Sequence, residues 1–331
     1  MRVQWVTRPR QNADGNFLGY STAVARMRLE LSKIADLKDD APVALTFGAP
    51  RIFRPVEGKT NVFFTMCESR TMYHDPVERE DALAKLRAAD VIVTPSRFCA
   101  EIFAEITPRP VKVCHLGVDT QFFRPVTRLP PIAGRPFRWL YCGALNGRKF
   151  SMLPAIANRL FARARGALEL YVKTTGVDVR DTLKTLEESG DAVEVEPGLW
   201  RGQGGWFDNR KLPVAELREL YAEAHAGFCL HHGEGWGLVP LEMMRTGLPI
   251  VISDYSGTRE YADTSNAFLV PVGPGTDTEV WPDELAALQA LDRVMSDYRT
   301  ALKVGRKAAR DAAGFTWGAA ARRLRAILSG L

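Results

Sequence analysis

The sequence predicts an α/β protein in which helices cover parallel sheets. Short apolar, β-branched segments such as "PVALTF", "DVIVTP" and "PIVISD" alternate with longer segments of helical periodicity such as "YSTAVARMRLELSKIA". Alternation of this kind is typical of strands joined through helices, which form parallel sheets. At 331 residues, the chain has the length of about two domains.

One segment without periodicity divides the chain. Residues 122–138, "FFRPVTRLPPIAGRPFR", are rich in proline and arginine, and a new strand-like segment begins at their end. Such composition is typical of a linker. We therefore predict an N-terminal domain over residues 1–128 and a C-terminal domain over residues 129–314. The amphipathic segment 315–331 either caps the second domain or crosses back onto the first.

Composition bounds the protein class. With 46% hydrophobic and 25% charged residues, the chain resembles a soluble globular protein. No apolar run approaches the roughly 20 residues of a membrane span, and the N-terminus lacks the apolar core of a signal peptide. The five cysteines form no C-x-x-C pair, which favours free thiols in a reducing compartment and predicts a cytoplasmic protein. A net charge of +5 suits contact with phosphates, nucleic acid or an anionic inner membrane surface, but requires none of them.

Two acids flank a glycine-rich turn in "HHGEGWGLVPLEMMRTG", residues 231–247. The preceding "GFCLHH" predicts a strand, and "LVPLEMMR" predicts a helix. Glu234 then lies in the turn and Glu242 about one turn into the helix. Ligands of open α/β sheets bind beyond the carboxyl ends of strands, where free amides at helix N-termini favour phosphate.

Four interpretations of this acid pair differ in chemistry. A metal site is disfavoured because the adjacent His231 and His232 point to opposite faces of a strand. A glycosidase pair would need carboxylates on opposite sides of the scissile bond, which a single turn does not supply. Two ordinary exposed acids remain conceivable. A clamp on vicinal hydroxyls, with an anion at the helix end, fits the glycine context best.

The motifs resemble those of family 4 glycosyltransferases. "GEGWGLVPLE" is similar to the E-x(7)-E signature of that family, and "TGLPIVISDYSGTRE" follows it as in the family. Three further segments carry weaker similarity: "ADVIVTPSRFCAEIF", "HLGVDTQFFRP" and "LYCGALNGRKF". The resemblance implies a GT-B fold, with two Rossmann-like domains facing a central cleft, and retaining transfer from a nucleotide diphosphate-sugar.

The resemblance assigns the donor-binding residues. Glu242 matches the acid that binds the ribose hydroxyls, and Glu234 matches the acid near the hydroxyls of the donor sugar. The residues expected to meet the diphosphate are those of the turn and of the first helical position: Gly235, Trp236, Gly237 and Leu238.

A cation is expected opposite the leaving diphosphate. Lys149 falls at the lysine of the family, and neutralising the developing negative charge there lowers the barrier to glycosidic cleavage. The arginine that usually precedes this lysine is Ala144 here, and Arg148 is a candidate replacement. Phe150 stands where the family has glycine. Either cation could therefore act.

The N-terminal domain supplies the acceptor side by the same resemblance. Gly15 and Gly19 precede a helix and are similar to a glycine-rich loop that faces the donor phosphates, although an ordinary loop with a helix cap would look the same. Relatives often have a histidine followed by an acid at the end of the strand "NVFFTM". Glu68 and His74 are the candidates here, because Cys67 stands at the position of that histidine.

Three other features have two interpretations each. His115 is expected to be structural. Lys173 and Thr174 end a strand and face either the crevice or solvent. The loop 197–207, "PGLWRGQGGWF", is expected to carry exposed tryptophans against which a nucleobase could rest.

The sequence thus predicts a retaining glycosyltransferase that acts on an acceptor hydroxyl of a glycan, a lipid-linked sugar, a small molecule or modified nucleic acid. It needs no cofactor, and no metal is implied because the D-x-D motif of metal-dependent transferases is absent. The alternatives are a nucleotide-sugar epimerase or phosphorylase on the same fold. A dinucleotide-binding oxidoreductase would need G-x-G-x-x-G after the first strand, which "GNFLGYS" does not supply.

Overall fold

The structure is a computed structural model. It describes residues 1–7, 20–70, 75–128, 130–132, 134–144, 149, 167–174, 188, 190, 192–202, 204–275 and 280–331.

A six-stranded parallel sheet forms the N-terminal half, in the order β2-β1-β3-β4-β5-β6. Its strands are β1 (Arg2–Trp5), β2 (Asp36–Leu37), β3 (Val43–Phe47), β4 (Thr60–Phe64), β5 (Val91–Thr94) and β6 (Val111–Val113). All residues of β3 and β5 are buried, because helices cover both faces of a parallel sheet.

In the described part of this half, the sheet is accompanied by the helices α1 (Tyr20–Ser32), α2 (Pro76–Ala88) and α3 (Arg97–Ile106). Asp75 begins α2, since its side chain accepts hydrogen bonds from the amides of Val77 and Glu78. Ser96 begins α3 in the same way, by accepting from the Cys99 amide. Local sequence therefore fixes where two of these helices begin.

An eight-stranded sheet forms the C-terminal half, in the order β14-β13-β12-β7-β8-β11-β10-β9. Its strands are β7 (Phe137–Cys142), β8 (Leu168–Lys173), β9 (Ala192–Glu196), β10 (Leu199–Gly202), β11 (Gly205–Asp208), β12 (Ala226–Cys229), β13 (Ile250–Ser253) and β14 (Phe268–Val270). The pairs from β14 to β11 are parallel, whereas β9, β10 and β11 pair antiparallel. A short hairpin, β15 (Val272–Pro274) with β16 (Val280–Pro282), follows.

The segment expected to be a loop with exposed tryptophans is instead the hairpin of β10 and β11. Trp200 is buried, and the Trp206 indole donates to the Glu169 carboxylate at 2.8 Å. That expectation was wrong because glycine-rich composition suggested a loop, while sheet pairing supplies partners for the backbone.

Helices of the second half are α4 (Val214–Glu223), α5 (Leu238–Arg245), α6 (Glu284–Ser296) and α7 (Tyr298–Ala312). Asp283 and Asp297 cap α6 and α7 through the amides of Ala286 and Thr300. Parallel sheets with covering helices are present in both halves, as the sequence predicts.

The last helix, α8 (Trp317–Ser329), packs against α1 of the first half. Immediately before it, Thr316 forms a parallel β-bridge with Val118, and the Val118 amide donates to the Phe315 carbonyl. A Cβ at Gly117 would lie 2.3 Å from the Trp317 nitrogen, so glycine permits this close approach. The chain therefore crosses between the halves at residues 114–137 and again near residue 315. Among the described residues, no helix combines the length and the apolar character that a membrane span requires.

Candidate active site

Three neighbouring strands of the second sheet end at the glycine-rich turn. The strands β13, β12 and β7 lie side by side and are parallel, so their carboxyl ends share one edge. Ser256, Glu234 and Lys149 follow these strands in turn. Two predicted site residues of the second half, Glu234 and Lys149, are thereby brought to one place, as expected for ligand sites of open α/β sheets.

The turn itself leads into α5. Gly237 is the residue before the helix and has φ 84°, in the left-handed region. A Cβ there would also lie 2.7 Å from the Tyr261 hydroxyl, which donates to the carbonyls of Trp236 and Gly237. Glycine is required on both counts. The first amides of α5, beginning with that of Leu238, have no intrahelical partner and could face an anion.

Glu234 is fixed in the turn on both its backbone and its side chain. Its amide donates to Ser256 Oγ at 2.8 Å, and its carbonyl accepts from the Gly257 amide at 2.8 Å. Its carboxylate Oε1 lies 2.8 Å from Lys149 Nζ, and the residue is only 9% exposed. An ion pair between a buried acid and a half-buried lysine therefore lies at the carboxyl edge of the sheet.

Lys149 is held there from β7. The Tyr141 hydroxyl lies within hydrogen-bonding distance of the carbonyls of Lys149, at 3.1 Å, and Ala144, at 2.8 Å. A small pocket of about 20 Å³ next to this contact is lined by Lys149, Glu234 and His231, together with parts of β7, β12 and α5. Of the two candidate cations, Lys149 contacts Glu234, whereas Arg148 lies outside the described residues.

Glu242 lies one turn into α5, as predicted. Its Oε2 accepts from the Tyr221 hydroxyl at 3.2 Å. Burial raises the pKa of Glu242 to about 8, although the Tyr221 hydrogen bond and the charge of Arg26 act in the opposite direction. Arg26 is held near this acid by its ion pair with Asp119, at 3.2 Å. Sequence reasoning missed Tyr221 and Arg26, because no motif marks a side chain that reaches the site from another helix.

The first half touches the glycine turn directly. A Cβ at Gly233 would lie 1.9 Å from the Glu68 carbonyl oxygen, and one at Gly235 would lie 2.9 Å from the Met66 side chain. The Cys99 thiol bridges the halves, with Sγ 3.2 Å from the Cys67 carbonyl and 3.6 Å from that of Gly235. The backbone of Glu68 therefore lies against the turn that carries Glu234, and its role on the acceptor side stays a prediction.

We expect Gly233→Ala to destabilise the protein, because the new methyl group must displace the backbone at Glu68. Overpacking of this kind costs about 1–3 kcal/mol. Thermal unfolding would show a lower midpoint, whereas Gly273→Ala, where a Cβ meets nothing within 4 Å, should change the free energy of unfolding by less than about 0.5 kcal/mol. Equal midpoints for the two variants would contradict the close contact between the turn and residues 66–68.

A second contact between the halves surrounds Trp236. Its side chain is 1% exposed and stacks on the His115 ring, with centroids 5.3 Å apart. His115 Nε2 lies 3.0 Å from Glu260 Oε2, and Glu260 also accepts from the Arg97 amide at 2.6 Å. Burial alone would raise the pKa of Glu260, but hydrogen bonds from His115 and Arg97 outweigh it and leave the pKa below its usual value. The indole of Trp236 thus packs in this contact, so only its backbone can take the predicted donor-binding role.

The side chain of Lys173 faces neither the crevice nor solvent. It is 5% exposed, and its Nζ donates to the carbonyls of Thr174, Asp208 and Arg210 at 2.7–3.2 Å. This lysine therefore ties together the ends of β8 and β11, which corrects the expectation for its side chain.

Three more predicted residues lie outside the described part of the chain: Gly15, Gly19 and His74. Their roles stay predictions.

Residues 210–310 match the family model described as "Glycosyl transferases group 1". The matched segment is similar to that family over about a third of the chain. This match includes the turn, Glu234 and Glu242, and it confirms the glycosyltransferase resemblance that the sequence predicts. D-inositol 3-phosphate glycosyltransferase from Corynebacterium efficiens is 30% identical over 118 residues, which are 35% of this chain and 26% of that protein. The chain therefore aligns with about a quarter of the length of the curated relatives it matches.

Solved structures extend the likeness beyond the group 1 domain. Sucrose-phosphate synthase from Thermosynechococcus elongatus has a TM-score of 0.67 at 17% identity, over 94% of this chain and 78% of that one. HepE from Anabaena in complex with UDP-glucose has a TM-score of 0.63 at 14% identity, over 88% of this chain and 79% of that one. At these identities the likeness shows the fold, and the predicted GT-B fold is confirmed.

Proposed function

We propose that this protein is a retaining glycosyltransferase that moves a sugar from a nucleotide diphosphate-sugar to an acceptor hydroxyl. The observation that carries the proposal is the Lys149–Glu234 ion pair at 2.8 Å, beside a helix N-terminus and one turn from Glu242. Binding of a sugar diphosphate needs a cation, free amides and two acids. These groups lie close together at one edge of the sheet.

Each group has a role in the proposal. Lys149 and the first amides of α5 receive the diphosphate and stabilise its charge as it leaves. Glu242 accepts hydrogen bonds from the ribose hydroxyls, and Glu234 accepts from the donor sugar. The leaving phosphate oxygen takes the acceptor proton on the same face, so that no separate base and no metal is needed. Glu68, across the turn, belongs to the acceptor side.

The acceptor is the open part of the proposal. The aligned relative is named for D-inositol 3-phosphate, which makes a phosphorylated cyclitol one acceptor to test. Glycans, lipid-linked sugars at an anionic membrane surface, other small metabolites and modified nucleic acid are the further candidates. Binding to nucleic acid would reveal itself by a steep salt dependence.

The deciding experiment is a thermal-shift panel with UDP, GDP, ADP, CMP and NAD. UDP comes first because HepE was solved with UDP-glucose. A ligand at 100 times its dissociation constant should stabilise the folded state by about 2.7 kcal/mol. Stabilisation by one nucleoside diphosphate supports the proposal. A response to NAD alone, or to no nucleotide, would contradict it. Turnover of the donor without an acceptor would favour an epimerase, and phosphorolysis of a glycoside would favour a phosphorylase.

We expect nucleotide affinity to rise between pH 6 and pH 8. The unliganded Glu242 has a pKa of about 8, so the strongly accepting carboxylate becomes populated only as the pH approaches that value. The ionised fraction of Glu242 rises from about 1% at pH 6 to about 50% at pH 8, so affinity for the stabilising nucleotide should increase by up to about 50-fold over this range. Titration calorimetry on wild type and on Glu242→Gln measures it. If the affinity of Glu242→Gln for the nucleotide rises with pH as steeply as that of wild type, the pH dependence belongs to another group, such as the nucleotide phosphate.

A further inference from the structure

A second cavity, of about 460 Å³, shares no lining residue with the candidate active site. It lies between the linker residues Pro125–Arg128, the end of α5 at Arg245 with Gly247 just beyond it, and one face of α7 from Leu302 to Arg310 with Ala313 just beyond that helix. A volume of this size is within the range of small-molecule sites.

Four arginines line this cavity: Arg128, Arg245, Arg306 and Arg310. Of the described residues that line it, none is acidic. Guanidinium groups repel one another at short range, so four of them around one concave surface raise the free energy of the unliganded protein.

Two of these arginines are anchored by backbone carbonyls. Arg128 donates to the carbonyls of Tyr221, Ala222, Ala224 and Gly247 and to Thr246 Oγ1, at 2.6–3.3 Å, which occupies every N–H of its guanidinium. Arg245 donates to the carbonyls of Thr120 and Ala309, at 3.1 and 3.4 Å. Burial lowers the pKa of both groups, because the charged form loses hydration there. The buried Nε of Arg245 has no hydrogen-bond partner in the described part of the chain. Arg128 therefore contributes a fixed positive charge with no described carboxylate beside it, and Arg245 contributes a charge and one N–H, at Nε, that a ligand could accept.

The other two arginines stand four residues apart on α7. Arg306 and Arg310 are exposed, and no described carboxylate lies within 4.0 Å of either. On the same helix, Lys307 is paired with Asp311 at 2.7 Å. Like charges at this spacing destabilise a helix, so an anion between them would relieve the repulsion.

We propose that this cavity is a second anion site that binds a phosphoryl group, on a soluble metabolite or on a lipid headgroup. The planar fork of arginine matches the oxygens of phosphate in a bidentate way, and several forks at one point favour a doubly charged group over chloride. Because Pro125–Arg128 belong to the linker, a bound phosphoryl group would fasten it to α5 and α7. The inference does not depend on the proposed transferase activity.

Binding of inorganic phosphate and of glycerol 3-phosphate, measured by calorimetry at constant ionic strength, tests the site. Arg306→Gln and Arg310→Gln should each weaken binding about tenfold, because hydrogen bonds to charged groups are strong. Arg299→Gln is the matched control, since Arg299 is exposed on α7 but does not line the cavity. Both cavity variants remove an exposed side chain and one of the repelling charges, so they should unfold at the wild-type temperature or slightly above it.

Lys149→Met separates this site from the donor site. Two results are required. The Lys149→Met protein must still bind phosphate at one site or more, and the double variant Arg306→Gln/Arg310→Gln must lack that site. If Lys149→Met abolishes all phosphate binding, the second site does not exist. The same conclusion follows if Arg299→Gln weakens phosphate binding as much as the cavity variants do.

Vesicles separate the two sources of the phosphoryl group. Phosphatidylcholine vesicles with phosphatidic acid, which carries a phosphate monoester, are compared with vesicles of equal charge that contain phosphatidylserine. Preference for phosphatidic acid that depends on Arg306 and Arg310 assigns a lipid headgroup, and binding of glycerol 3-phosphate alone assigns a soluble metabolite. Absence of both kinds of binding would overturn the site.

Discussion

Replacing Glu242 with glutamine is expected to weaken nucleotide binding about 100-fold, because two ribose hydroxyls lose a charged acceptor. The same change should leave the unliganded protein as stable as wild type, or more stable, at neutral pH. Burial holds the pKa of Glu242 near 8, above its ordinary value of 4.5. The folded state therefore binds this proton more tightly than the unfolded state, and stability falls as the pH rises from about 4.5 through about 8. Glutamine does not titrate, so the variant should not lose stability over this pH range.

Opposite effects on binding and stability distinguish a ligand-binding acid from a structural one. Calorimetric titration with the stabilising nucleotide and thermal unfolding at pH 5, 7 and 8 measure the two effects. Glu219→Gln, an exposed acid on α4, is the matched control and should change neither. If the Glu242→Gln protein binds nucleotide as tightly as wild type, Glu242 does not bind the ribose hydroxyls. A protein that unfolds at a much lower temperature would show that the Tyr221–Glu242 hydrogen bond is structural instead.

Replacing Lys149 with methionine is expected to lower kcat about 10²- to 10³-fold, as does removal of a single group that stabilises transition-state charge. KM for the donor should change less, since the diphosphate gains most of its negative charge as the glycosidic bond breaks. Methionine keeps the length of the side chain and removes only the charge. Steady-state transfer from the donor identified by the nucleotide panel gives both constants. Lys38→Met, on the exposed surface of the first half, is the control.

The ion pair with Glu234 makes a second comparison possible. Because Lys149 and Glu234 touch at 2.8 Å, Lys149→Met and Glu234→Gln should not be additive in a double-mutant cycle. If Lys149→Met raises KM and leaves kcat unchanged, the lysine binds ground state and transition state equally. Unchanged kcat and KM would exclude it from the site and leave Arg148 as the cation to test.

The sequence by itself determined the fold class and the location of the candidate site. The alternation of β-branched and helical segments identifies parallel sheets, because each period reflects which face is buried. Gly237, with φ 84° before a helix, and the acids on either side of it follow from local chemistry. Capping residues such as Asp75 and Ser96 similarly mark helix starts that the structure shows.

Only the tertiary structure decided what surrounds those residues. Tyr221 beside Glu242, Lys149 on Glu234 and the backbone of Glu68 against Gly233 come from elements distant in sequence. The buried Trp200 of β10, the half-buried Trp206 of β11 and the lysine at the end of β8 were assigned wrongly for the same reason. A side chain's burial and partners depend on which strands and helices pack together. The periodicity of a sequence shows which face of a helix or strand is buried, but it does not show which other element packs against that face.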